Sequence, residues 1–165
     1  MAESFSFDVV SDFDRQELVN TLDQVKREIS QRYDLKGTDT SIDLDKENIF
    51  IITNSELTLN AVNDIIRQKA IKRNLSLKIF DYGEIETVSG NRLKQIILLK
   101  KGIKQEIAKI ISKKIRDQFK KISVSINGET LRVSSKSKND LQLAIRLLSD
   151  LEESLNIPLK ASNFR

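Results

Sequence analysis

Ile122-Ser123-Val124-Ser125-Ile126-Asn127-Gly128-Glu129-Thr130-Leu131-Arg132-Val133 is the stretch whose reading decides the fold. Apolar and polar residues alternate on both sides of Asn127-Gly128, the dipeptide best suited to the positive φ angles of a tight hairpin turn. Two half-buried antiparallel strands are therefore expected here. Working outward, Ile103, Ile107, Ile110 and Ile111 recur at helical spacing and predict a helix over about 103–117. Leu141, Ala144, Ile145, Leu148 and Leu151 predict another over about 138–154, capped by Ser137 or Asn139. Strand-like runs enclose the set, Leu93–Leu99 in front and Ile157-Pro158-Leu159 behind. Pro158 has no N–H for a ladder, so that last strand should be an edge or begin there.

The same order stands earlier in the chain. Phe5, Phe7 and Val9 alternate as a strand, and Leu18, Leu22, Val25 and Ile29 mark a helix of about 14–32, with Asp12 or Asp14 as cap. Ile42 and Leu44 lead through Asp45-Lys46-Glu47-Asn48 into Ile49-Phe50-Ile51-Ile52, a second hairpin. Leu59, Val62, Ile66 and Ala70 mark a helix of about 56–72, and Leu75, Leu77 and Ile79 follow as a strand. The halves share a register: Ile49 with Leu131, Ile51 with Val133, Leu59 with Leu141 and Val62 with Ala144 are each 82 positions apart. A β-α-β-β-α-β unit read twice is the ferredoxin-like plan, so the fold class is α+β: two such sandwiches in tandem, over 1–88 and 89–165. The join falls in Asp81–Gly90, which holds Gly83, Ser89 and Gly90 and no helical period. Periodicity leaves open which sheet takes each first strand.

Composition narrows the chemistry. Among 165 residues there is no cysteine and no histidine. Disulfides, thiolate nucleophiles, thiolate zinc sites and imidazole bases are thereby excluded. No Gly-x-Gly-x-x-Gly and no phosphate-loop Gly-Lys-Ser/Thr occurs. Asp43, Asp45 and Glu47 form the one acidic group that could hold an oxygen-liganded Mg²⁺, without a further ligand cluster around it. No catalytic residue, metal site or cofactor is expected. Met1-Ala2-Glu3-Ser4-Phe5 has no basic leader followed by an apolar run, and no stretch approaches a bilayer span. The expectation is a cytoplasmic, monomeric protein.

Charge is unevenly placed. Residues 1–91 hold 11 basic and 17 acidic side chains, whereas residues 92–121 hold 11 basic and 2 acidic. Such an island suits phosphates. It also suits plain attraction to the acidic half. Lys109, Lys113 and Arg116 project opposite the isoleucine stripe of the third helix, while Lys114 falls within it. Lys100-Lys101-Gly102-Ile103 joins a strand to a helix N-terminus, where free N–H groups face outward. Ser134-Ser135-Lys136-Ser137-Lys138-Asn139 adds hydroxyls and charge before the fourth helix. An RNA-recognition domain of this architecture stacks bases on aromatics of its central strands. Phe50 is the only aromatic in either central hairpin, and Tyr82, Phe119 and Phe164 are scattered.

Certain segments resemble bacterial YajQ-type proteins. These are Ser6-Phe7-Asp8-Val9-Val10-Ser11, Arg32-Tyr33-Asp34-Leu35-Lys36-Gly37, Lys101-Gly102-Ile103, Lys136-Ser137-Lys138-Asn139-Asp140-Leu141-Gln142 and Asn163-Phe164-Arg165. The resemblance runs along the whole chain. It implies ferredoxin-like domains that exchange first strands, with strand 4–10 completing the second sheet and 92–99 the first. It also implies non-catalytic binding of RNA or a guanine nucleotide such as cyclic di-GMP. Ser135 departs from the pattern, since many relatives have glycine there. The phosphate-binding candidates, chosen on charge, are Arg92, Lys94, Lys100, Lys101, Lys104, Lys136, Lys138 and Arg165. The alternative function is a protein–protein adaptor that uses the open sheet faces.

Overall fold

The structure, a computed structural model, describes residues 4–165; Met1–Glu3, the start of the first expected unit and of the amino-terminal reading, lie outside the described residues. In chain order the elements are β1 (Phe5–Val10), α1 (Arg15–Gln31), β2 (Ser41–Leu44), β3 (Asn48–Thr53), α2 (Glu56–Lys72), β4 (Phe80–Tyr82), β5 (Glu86–Val88), β6 (Arg92–Leu99), α3 (Gln105–Gln118), β7 (Ser123–Asn127), β8 (Thr130–Ser135), α4 (Lys138–Leu155) and β9 (Lys160–Ser162). They form two compact units: a central one of residues 13–100, and a terminal one of residues 4–12 with 101–165.

In the central unit the antiparallel sheet runs β2-β3-β6-β4, with β5 also paired to β6. Helices α1 and α2 bury Leu18, Leu22, Val25, Leu59, Val62 and Ile66 against Ile49, Ile51 and Ile97. Each helix starts where a side chain can accept an otherwise unused N–H. Asp14 accepts from Glu17 N at 3.2 Å, and Ser55 from Thr58 N at 3.2 Å. The β2–β3 turn forms around Asp45, whose Oδ1 accepts from the N–H groups of Glu47 (2.9 Å) and Asn48 (2.7 Å). Several buried positions are polar, Asn63 and Gln95 among them. Asn63 Nδ2 on α2 donates to Gln95 Oε1 on β6 at 2.9 Å, and Gln95 Nε2 donates to the Gly83 carbonyl at 2.9 Å.

In the terminal unit the sheet runs β7-β8-β1-β9. β1 is central there, with Phe5 opposite Ser135, Phe7 opposite Val133 and Val9 opposite Leu131. β6 holds the corresponding place in the other sheet, with Ile97 opposite Ile49 and Gln95 opposite Ile51. Phe7, Val9, Ile111, Ile115, Leu131, Val133, Leu141 and Leu148 make the core of the terminal unit. All eight residues of the 82-position register are buried.

Four expectations shift. Leu75, Leu77 and Ile79 do not form a strand: Leu77–Ile79 is a single 3₁₀ turn, opened by Ser76 Oγ accepting from Lys78 N, and the strand follows at Phe80–Tyr82. The closing strand begins at Lys160 rather than within Ile157-Pro158-Leu159, because Leu159 N–H donates to Glu152 Oε1 (2.6 Å) and Pro158 has none to give. The buried stripe of α3 is Ala108, Ile111, Ser112 and Ile115, and Ile110 and Lys114 are exposed. In the β7–β8 hairpin Asn127 pairs with Thr130, so the loop is Gly128-Glu129, and Gly128 alone turns at φ +60°. Asp81–Gly90 contains strand residues on both β4 and β5.

Candidate functional site

The start of β1, the end of β8 and the first turns of α4 meet at one end of the terminal sheet. Two adjoining hollows open there. The first, of about 250 Å³, is lined by Phe5, Phe164, Gln142, Lys138 and Arg165 among others. Lys138 is the first residue of α4, and its Nζ lies 5.8 Å from the Phe5 ring centroid, within reach of a cation–π contact. Phe164 is 64% exposed, with its ring 6.1 Å from that of buried Phe7. Arg165 is fixed by its backbone, which exchanges hydrogen bonds with Ser6 of 3.0 and 2.9 Å. Gln142 is exposed on the next turn and carries both a donor and an acceptor.

The second hollow, of about 520 Å³, is lined by Ser4, Ser123, Ser134, Ser137 and the exposed Lys121 and Lys136. Ser137 caps α4 by accepting from Asp140 N at 3.2 Å. Ser135 uses its buried hydroxyl as a brace: Oγ donates to the Lys121 carbonyl (3.1 Å) and accepts from Ser137 N (3.0 Å). That pins the chain turning into α4 against the strand before it. Aromatic surface, an amide and two cations stand in one hollow, hydroxyls and two more cations in the next. The first can take a planar base and the second a phosphate.

The remaining sequence candidates lie elsewhere. Arg92, Lys94 and Lys100 belong to the central unit. Arg92 donates to the Asp39 carboxylate at 2.6 Å and to the Asp39 carbonyl, so its guanidinium is already committed. Lys94 Nζ lies 5.5 Å from the Phe50 ring centroid, and Lys100 N–H donates to the Ile79 carbonyl (2.8 Å). Lys101 and Lys104 are in the terminal unit at the opposite end of the sheet from Lys136 and Lys138. There Gly102 N–H donates to Ser11 O (2.6 Å) and Ile103 N–H to Glu129 O (2.9 Å), which anchors the start of α3 to the hairpin tip. Gly102 stands at φ +84°, and a Cβ on it would overlap the Glu129 carboxylate. The protein's own carboxylate thus already crowds the mouth of α3, where an anion would have to enter.

Asp45 and Asp8 are similarly engaged. Asp45 serves its turn, and the N–H of Glu47, then that of Asn48, holds its carboxyl below the ordinary value. Asp8, on the open face of the terminal sheet, is held below its ordinary value by the Asn163 amide first and the Arg132 guanidinium second, at 2.9 and 3.1 Å. Among the described residues no group of three or more carboxylates is placed to hold a metal ion, and no helix is long and apolar enough to cross a membrane.

A family model described as nucleotide-binding protein YajQ-like matches residues 5–165. The chain belongs to this family. A relative named nucleotide-binding protein from Prochlorococcus marinus strain MIT 9312 is 91% identical over 165 residues, all of both chains. Others so named, from Prochlorococcus marinus strain MIT 9515 and Synechococcus sp. strain CC9605, are 78% and 56% identical over the same full length. The YajQ-type resemblance carried by the motifs is therefore borne out. Within this YajQ-like chain, motif residues 6–7, 136–142 and 163–165 gather at the β1–α4 end, whereas Ser11 of the first motif stands at the other end of β1 and accepts from Gly102 N–H. The sequence places Lys121 in the basic island 92–121 and Gln142 and Phe164 in family motifs, but it does not mark these three or Phe5 as ligand contacts. Pairing strand 4–10 with the second hairpin was the signal that brings Phe5 beside Ser135 and Lys138.

Proposed function

We propose that this chain is a non-catalytic nucleotide-binding protein whose ligand, a guanine nucleotide such as cyclic di-GMP or a segment of RNA, docks at the β1–α4 end of the terminal unit. The observation that carries the reading is the grouping of Phe5, Phe164, Lys138 and Arg165 around one hollow beside a serine- and lysine-lined second one. A base lies against Phe164 and meets Gln142, while phosphate oxygens meet Lys138, Arg165, Lys136 and Lys121. The partial positive charge at the start of α4 adds to this attraction. The relatives' shared name supports the same ligand class. Of the eight basic candidates, Lys136, Lys138 and Arg165 carry the proposal.

Calorimetric titration of the full chain with GTP, cyclic di-GMP and a short RNA at two salt concentrations tests it. Binding is expected below millimolar at low salt. The slope against salt should be shallow for cyclic di-GMP and steeper for RNA, because the number of counterions released follows the number of phosphates neutralised. Absence of binding by all three overturns the proposal. A second reading, a protein–protein adaptor, rests on the open face of the central sheet. There Phe50, Ile52, Ile96 and Leu98 stand together, and Leu98 is 41% exposed.

A further inference from the structure

The segment between α1 and β2 is braced far beyond what a connection needs. Arg32 forks onto Asp34 at 3.0 and 2.7 Å. Buried Leu35 accepts from the N–H (3.2 Å) and hydroxyl (2.5 Å) of Thr38 through its carbonyl. The Thr38, Thr40 and Thr53 hydroxyls form a chain of 2.7 and 2.8 Å contacts, and Arg92 clamps Asp39. Gly37 at φ +88° bends the segment outward, with no atom within 4 Å of where a Cβ would stand. A loop so fixed loses little further entropy when a ligand meets it.

The braces shape a hollow of about 340 Å³ in the central unit. Its floor is apolar, made by Ile29, Leu35 and Ile42, each below one-tenth exposed. Lys26 from α1 and Lys36 from the loop stand at the rim, with Ser30 and Thr40 beside them. Neither ammonium has an ion-pair partner among the described residues. Asp39, the one carboxylate on the described lining, is neutralised by Arg92. The hollow therefore presents an apolar floor under two uncompensated positive charges.

We infer that this hollow is a second ligand site, which takes a small phosphorylated molecule of mononucleotide size. The body of the ligand covers Ile29, Leu35 and Ile42 and leaves water, which favours binding in proportion to the apolar area removed. The phosphate sits between Lys26 and Lys36, whose ammonium groups act as point charges and donate to its oxygens. The volume lies at the lower end of the range for small-molecule pockets. No residue of the β1–α4 site takes part, so this inference stands or falls separately from the proposed function.

The test is an amide chemical-shift titration of the full chain with 5′-AMP, adenosine and inorganic phosphate in parallel. With 5′-AMP, shifts should gather at Ser30, Lys36, Gly37 and Thr40, half-saturated at about 1 mM or below. Adenosine and phosphate alone should each need at least about tenfold more. The double variant Lys26→Gln/Lys36→Gln should lose these shifts at least tenfold while the rest of the spectrum, and the response of Phe5 and Phe164, stays unchanged. Both lysines are exposed, so the fold should not depend on them. The inference is overturned by silence at Gly37 up to about 10 mM 5′-AMP, by unchanged shifts in the double variant, or by adenosine binding as well as 5′-AMP.

Discussion

Replacing Gln95 with leucine is a sharp test of how the central unit is held together. Gln95 is 7% and Asn63 5% exposed, and their 2.9 Å hydrogen bond spans the layer between β6 and α2. Asn63 Oδ1 is already buried without a partner, so its Nδ2 bond to Gln95 is what the amide retains. Gln95→Leu strips that bond and strands a buried donor, a cost of about 1–3 kcal/mol. The Gly83 carbonyl also loses a partner, but Gly83 is exposed and can turn to water. A net loss of about 2 kcal/mol follows, which for a unit of this size corresponds to roughly 10 °C in Tm.

The control is Asn63→Leu/Gln95→Leu. The chain itself shows that an apolar pair fits this place: at the same register in the terminal sheet Phe7 faces Val133 as Gln95 faces Ile51, and Ile145 stands 82 positions beyond Asn63. The double variant should therefore recover most of the loss, giving a coupling energy of about 2 kcal/mol in a denaturant-unfolding cycle over the four proteins. If Gln95→Leu is as stable as the parent chain, or if the two substitutions simply add, the reasoning about this buried pair is wrong.

Other substitutions follow from the same kind of accounting. Gly102→Ala must adopt φ +84° and displace the Glu129 side chain, so thermal unfolding should show a loss of about 1–2 kcal/mol. Ser137→Ala removes the cap of α4 and should cost about 1 kcal/mol by the same measurement. Asp8→Asn tests linkage. The folded carboxyl titrates below its unfolded value, so its contribution is present above about pH 4 and fades as pH falls through the folded value. The variant should be less stable by about 1 kcal/mol or less at pH 7 and equal to the parent near pH 2, as read by denaturation at both pH values.

Elements with long, regular periodicity were legible from residues alone. α2 matches its expected range, and the 82-position register picks out buried residues in both units. Both central hairpins were legible too, but two short strands, those after α2 and after α4, were not. Leu75, Leu77 and Ile79 alternate like a strand, yet Ser76 closes a 3₁₀ turn over Lys78 that moves the strand onto Phe80, a local hydrogen bond that hydrophobic spacing does not register. Ile110 and Lys114 show the same limit on a helix, where four isoleucines allow two stripes and only packing selects one. The candidate site was half legible. Lys136, Lys138 and Arg165 stood out by charge, and Gln142 lies one helical turn beyond Lys138, but Phe5 comes to that place only through the pairing of β1 with β8, far apart in sequence. Arg92 looked equally available by charge, and its Asp39 partner lies 53 residues away.

The most direct test of the central claim compares two double variants across the ends of one sheet. Lys138→Ala/Arg165→Ala and Lys101→Ala/Lys104→Ala each remove two exposed cations from the terminal unit. Calorimetry with whichever of GTP, cyclic di-GMP or RNA binds the parent chain should show at least a tenfold loss for the first, about 1.4 kcal/mol or more, and less than about threefold for the second. Equal losses in both would reduce the site to bulk charge. A loss confined to the Lys101/Lys104 variant would place the ligand at the start of α3 and contradict the account.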